Sequence, residues 1–407
     1  MKILMTNHRL QQRGGSELFV LEIATGFRRL GHEVCVFTTV PGPLSERLAT
    51  TGIPVVGDPA ECPFTPDILH GQHHLETMAA LSLWPGVPAT YMVHGATPWE
   101  EQAPVHPRIR RYLATTKRLA WYIARDCGVE ESSVLVVRNF FDPARFTRVR
   151  PPDRRTGRAL VFHNTMAPDG PAVRNLERAC AACGLTLERI GAAFGRMIDN
   201  PEEALPEFDV VFAGGRSAIE AMACGCAVIP VTAAQSTDRI HPGNYQELAD
   251  RNFTAETNTP PLAADEVAGQ LRAIDAAETR QVTQWIREEA TLPVAVGRLL
   301  DCYQGVLAAP AAGGTEDELR PLGRYLLALA ARVKDADARR AALADDKERA
   351  TQRAAKWKAR ATHHADHLHW LAQQCGMGSW WQRRWWRKLR REWEARPRGP
   401  GQPEWPE

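Results

Sequence analysis

Arg216, Ser217 and Glu220 follow directly on the glycine pair Gly214-Gly215, and this spacing sets out an anion site with a carboxylate beside it. A glycine turn that opens a helix leaves several backbone amides unpaired and aimed at one point, which favours a bound anion. Arg216 adds a fixed positive charge at the edge of that turn. Glu220 has two readings: its carboxylate can serve a ligand, or it can close a capping box with Ser217 three residues earlier. Histidines form the second set. His70 and His94 each end a short apolar run, and residues at the carboxyl ends of strands line the ligand crevice of an open α/β sheet.

The elements that position these groups are legible around them. Residues 209–213 form a short β-branched apolar run, read as a central parallel strand; Gly225 stops the helix carrying Glu220, and residues 227–230 form the next strand. At the start of the chain, a strand over residues 1–6, a loop with Arg13, Gly14 and Gly15, a helix over 16–30 ended by Gly31 and a strand over 34–37 make a strand, helix, parallel-strand unit. No G-x-G-x-x-G fingerprint follows the first strand, which argues against a nicotinamide or flavin cofactor.

With 407 residues, 44% of them hydrophobic, the chain suits two domains and a tail. A formal net charge of +2 calls for no nucleic-acid partner. The nine cysteines fit free thiols in a reducing compartment, and the close pairs Cys180/Cys183 and Cys224/Cys226 read as small apolar residues. The first residues turn polar too early for a signal peptide and no run approaches a spanning helix, so a cytoplasmic location is expected. Expected boundaries are 1–147 for a first Rossmann-like domain, 148–158 for a charged, proline-bearing hinge, 159–309 for a second such domain and 310–407 for a helical tail.

Several segments in order resemble the family 4 glycosyltransferases of the GT-B fold. They are Gly14-Gly15-Ser16-Glu17, the run over 89–95 ending in His94-Gly95, the run from Val134 through Asn139 and Asp142 to Phe146, and Ser217 through Ile229 with its Glu-Ala-Met-Ala-Cys-Gly core. The resemblance covers most of the chain before the tail. It implies an α/β GT-B architecture of two doubly wound domains facing a cleft, and metal-independent transfer of a hexose from a nucleotide-diphosphate sugar with retention. The acceptor implied is an envelope polysaccharide, glycolipid or other glycan; no cofactor or metal is expected. In residue terms it implies catalytic roles for His94, facing the donor sugar, and Glu220, holding ribose. Donor contacts are expected for Gly14, Gly15, Gly214, Gly215, Arg216, Ser217 and Asn139, with Arg174 added as a candidate cation for the phosphates. His73 and His74 follow the first histidine-ended run as acceptor candidates, and for Glu100 and Glu101 a solvated face is the preferred reading.

Three departures stand beside it. Phe212 occupies the place of the family's first glutamate, Phe140 replaces a glycine, and the early second domain carries neither the family's arginine nor its lysine. Any diphosphate must then be neutralised by Arg216, Arg174 or Arg13. The alternative reading is a transferase-like protein without catalysis, acting as a binding or scaffold module through its tail.

That tail reads as a long helix from Pro321 to about Gln374. His363 and His367 have metal-ligand spacing, although a polar helical surface is the preferred reading. Eight of the 12 tryptophans fall after residue 356, and Trp380, Trp381, Trp385 and Trp386 alternate with Arg383, Arg384, Arg387 and Lys388. Such a mixture over 370–407 suits an anionic membrane surface, with a partner protein or nucleic acid as competitors.

Overall fold

The computed structural model describes residues 1–12, 14–151, 153–255, 262–310 and 315–374, with positions 384, 387, 388 and 391 near the end. The chain forms two compact units, Met1–Leu322 and Gly323–Glu407.

The first unit holds two parallel sheets. In the first, β1 (Lys2–Thr6), β2 (Glu33–Phe37), β3 (Val55–Val56), β4 (Ile68–Gln72), β5 (Ala89–Val93), β6 (Ile109–Ala114) and β7 (Val134–Val136) lie in the order 3-2-1-4-5-6-7. Every pairing is parallel, and the central strands are buried on both faces, which is why they read as continuous apolar runs. The order reverses between β1 and β4, so the crevice lies at the carboxyl ends of those two strands. Thr6 Oγ locks the two ends together, donating to the Gln72 carbonyl at 2.8 Å and accepting from the Gln72 amide at 2.9 Å.

β4 runs two residues further than the apolar pattern indicates. His70 therefore lies inside the strand, fully buried, and not at the carboxyl end where its spacing put it. Its Nδ1 meets the Tyr303 hydroxyl at 2.5 Å.

The second sheet comprises β8 (Arg158–Phe162), β9 (Thr186–Ile190), β10 (Val210–Ala213) and β11 (Ala227–Pro230) in the order 11-10-8-9. Its order reverses between β8 and β10, so the Gly214 turn after β10 stands at the second switch point. Residues 292–308, grouped by sequence with the second domain, instead return to the first: on the helix Leu292–Ala308, Leu292, Val296, Leu299 and Tyr303 pack in the core with Ile3, Phe19 and Phe27. The approach is so close that a Cβ on Gly26, in the helix Gly15–Arg29, would stand 2.7 Å from Val296 Cγ2.

The stretch 148–158, read from sequence as the hinge between domains, is fastened to the second sheet. Arg150, buried, donates to Asp209 Oδ1 at 2.6 Å, and the amides of Thr156 and Gly157 donate to the same carboxylate. A buried pair with satisfied lone pairs holds the linker against β10 because removing either charge would strand the other away from water.

The long helix spans Thr315–Gln374, so Pro321 lies within it and not at its first turn. Among the described residues no helix is long and apolar enough to cross a membrane. The four tryptophans of that cluster and Arg383 lie outside the described residues, as does Arg13.

Candidate functional site

His94 immediately follows β5, and three elements hold it. Its backbone amide donates to Glu101 Oε2 at 2.8 Å, its Nε2 lies 2.7 Å from Gln72 Oε1 at the end of β4, and the Phe19 ring meets it edge-on at 5.0 Å. Burial pushes its pKa down to about 4, against a smaller upward pull from Glu101, so the ring is neutral at neutral pH.

His73, at the start of the helix His74–Leu83, has φ 61°, a left-handed conformation that costs a non-glycine residue on the order of 1 kcal/mol. Its contacts hold it there: Nδ1 accepts from the His8 amide at 3.3 Å, and Nε2 faces Glu101 Oε1 at 3.5 Å. An accepting Nδ1 puts the ring proton on Nε2, towards the carboxylate. Glu101 is thus buried and shared between two histidines, which corrects the reading of it as a solvated residue. Gln72 and Glu101 are the residues that sequence reasoning missed or undervalued here. The sole signal for Gln72 was its position two residues beyond the apolar run.

In the second domain the helix Gly215–Ala223 begins one residue after the turn at Gly214, with Gly214 as its N-cap and no side-chain cap. Ser217 is therefore inside the first turn, and the capping box expected between Ser217 and Glu220 does not form. Gly215, at φ +59°, and Gly214, whose added Cβ would stand 3.2 Å from the Val231 carbonyl, both fit a backbone that must turn tightly there. Glu220 instead accepts from Arg216 Nε at 2.9 Å. Arg216 reaches across the domains as well, its Nη2 donating to Glu22 on the first helix at 2.5 Å. Burial opposes the guanidinium's charge, but Glu22 and Glu220 more than offset this and hold it protonated. Burial pushes Glu220 up from the usual carboxylate range, and Arg216 pulls it back. Arg145 extends the network, lying 3.4 Å from Glu22 and 2.8 Å from Glu202.

Two rings join the sites. Phe19 lies 5.6 Å from Phe140, and the Arg216 guanidinium lies 5.9 Å from the Phe140 centroid. Phe140, a departure at the sequence level, is the piece through which His94 of the first domain and Arg216 of the second are connected. Phe212 is wholly buried in β10, which runs on to Ala213, and pairs with Val161 and Ile229 on the neighbouring strands.

The other predicted donor contacts scatter more widely. Gly14 caps the first helix, with the Glu17 carboxylate folded over it, and Gly15 opens that helix. Asn139 borders a cavity of about 20 Å³ shared with Ile219, Tyr245 and Asn252, room for about one water. Arg174 is exposed on the helix Pro171–Ala182 and donates to the Asp169 carbonyl. Among the described residues no group of three or more histidine, cysteine or acidic side chains has the geometry to hold a metal, and the eight described cysteines are free.

Two parallel sheets with facing switch points, joined by a fastened linker and closed by a helix that returns to the first sheet, are the GT-B fold of the glycosyltransferases. The model of Glycosyltransferase Family 4 matches residues 13–145. No curated protein sequence matches the chain. A glycosyltransferase from Rickettsia africae is similar in structure at a TM-score of 0.56, with 13% identity over 76% of this chain and 99% of its own. Anabaena Alr3699/HepE in complex with UDP also has a TM-score of 0.56, with 16% identity over 75% of this chain and 100% of its own. The lipopolysaccharide outer core galactosyltransferase WaaB gives 0.52, with 14% identity over 75% of this chain and 99% of its own.

Proposed function

We propose that this chain is a glycosyltransferase that moves a hexose from a nucleotide-diphosphate sugar to a glycan acceptor, an envelope polysaccharide or glycolipid, with retention and without a metal. The observation that carries the reading is the two-ring bridge, which links a neutral histidine of the first domain through Phe19 and Phe140 to an arginine and glutamate at a helix start of the second. Helix-start amides at Gly214 and Gly215 suit the donor's phosphates, and Arg216 suits the negative charge that develops on the leaving diphosphate. Glu220 uses one oxygen on Arg216, which leaves the other for ribose hydroxyls. His94 faces the sugar. Similar structures hold UDP and UDP-glucose, which supports a nucleotide-sugar donor. The basic, tryptophan-rich segment over 370–407 is assigned to an anionic membrane surface, which would keep a cytoplasmic enzyme beside a lipid-linked acceptor.

Release of nucleoside diphosphate from a panel of nucleotide sugars, with Arg216→Ala and Glu220→Gln as controls, tests the reading. Turnover in the parent and its loss in both variants is expected; equal turnover in all three would refute the assignments. The second reading, a binding protein without catalysis, draws on one observation: Glu22 and Glu220 together close on Arg216, leaving its side chain 15% exposed. It predicts no turnover with any donor.

A further inference from the structure

Among the described residues the His94 imidazole makes one hydrogen bond, through Nε2, and the chemistry of that partner decides which nitrogen carries the proton. Gln72 Oε1, 2.7 Å from Nε2, is a carbonyl oxygen and can only accept. The ring must then donate from Nε2, and Nδ1 keeps its lone pair. Gln72 is fully buried, and its backbone amide and carbonyl are both tied to Thr6, which fixes the point from which its side chain reaches the ring. The backbone of His94 is held separately, by Glu101 Oε2, and Glu101 is steadied by the Nε2 proton of His73.

We infer that Gln72 and Glu101 are positioning residues that hold His94 as the Nε2–H tautomer, so that Nδ1 accepts a hydrogen bond from a hydroxyl of the bound sugar. This rests on the proposed sugar transfer for the identity of the ligand, but not for the tautomer. A hydroxyl hydrogen bond of this kind discriminates, since a sugar lacking the hydroxyl would leave that nitrogen without a partner once the ligand covers it. The groups that face His94 are Glu101 from the following loop, His70 and His73 from β4 and its end, and the uncharged Phe19 from the first helix.

The experiment is nitrogen NMR of the full chain labelled in histidine. The parent should show His94 protonated at Nε2 at pH 7. Gln72→Glu places a carboxylate against the ring and stabilises the imidazolium, so the His94 midpoint should rise by about one to three pH units. Gln72→Leu should leave the midpoint low and allow both tautomers. In turnover, Gln72→Glu should carry the acid limb of kcat/KM upward with the NMR midpoint, a shift that a merely structural role would not produce. Protonation at Nδ1 in the parent overturns the inference whatever the variants do, as does an unmoved midpoint in a folded Gln72→Glu. Absence of turnover with every donor would remove the transferase reading while the NMR result still decides the tautomer.

Discussion

Arg216, on the second domain, donates to Glu22 of the first at 2.5 Å while also holding Glu220 at 2.9 Å. One guanidinium thus ties the domains together and carries the charge that a donor phosphate would seek.

If Arg216 takes the donor's phosphates as proposed, Glu22 would compete with them for its guanidinium, so Glu22→Gln should strengthen binding of a nucleoside diphosphate. Removal of one opposing charge worth ~1.4 kcal/mol corresponds to about tenfold in affinity. Titration calorimetry on the variant checks the sign; weaker binding would show that Glu22 orders the site and does not mask it. The same network makes Arg216→Ala costly, about 3 kcal/mol in denaturant unfolding, because Glu220 loses its partner and Glu22 keeps only the longer contact with Arg145.

Burial lowers the pKa of His70 to about 3 and of His73 and His94 to about 4, from an ordinary 6.5. The unfolded chain therefore binds more protons between those values, and stability present above pH 6.5 is lost as pH falls towards 4. The cost at pH 5 is on the order of 2 kcal/mol for each buried ring. Thermal unfolding at pH 7 and pH 5 should differ by on the order of 10 °C, and the triple replacement of these rings by non-titrating residues should reduce the dependence, leaving the part that His8 and His106 contribute.

Gly26→Ala should destabilise by about 1 to 3 kcal/mol, because the new methyl meets Val296 at 2.7 Å. Val296→Ala makes room for it, so the double variant should recover part of the loss. Additive losses in a double-mutant cycle would mean that the closing helix does not press on the first helix at this point.

Asp209→Ala leaves Arg150 buried without its carboxylate and frees the amides of Thr156 and Gly157. Unfolding should cost about 3 to 5 kcal/mol less. Limited proteolysis should then cut within 148–158, a stretch expected to resist in the parent; equal resistance would place the linker's hold elsewhere.

Strand and helix alternation, the Gly225 stop and the glycine turn before Arg216 were legible in the chain itself, because burial on two faces and helical spacing write local patterns that survive without tertiary context. The same holds for His94 at the end of β5. Local spacing misled where a nearby partner was assumed: Ser217 and Glu220 have capping-box spacing, yet the helix starts at Gly215 and Glu220 turns to Arg216. Glu101 reads as solvated until its loop folds back on His94 and His73. Glu22 looks like a polar helix residue, and its partner lies 194 positions away. Phe140 and the helix Leu292–Ala308 acquire their roles only when the two sheets come together. Spacing specifies which side of an element is buried, but which charge meets which across a crevice depends on how separately folded segments pack, and that the tertiary structure alone decides.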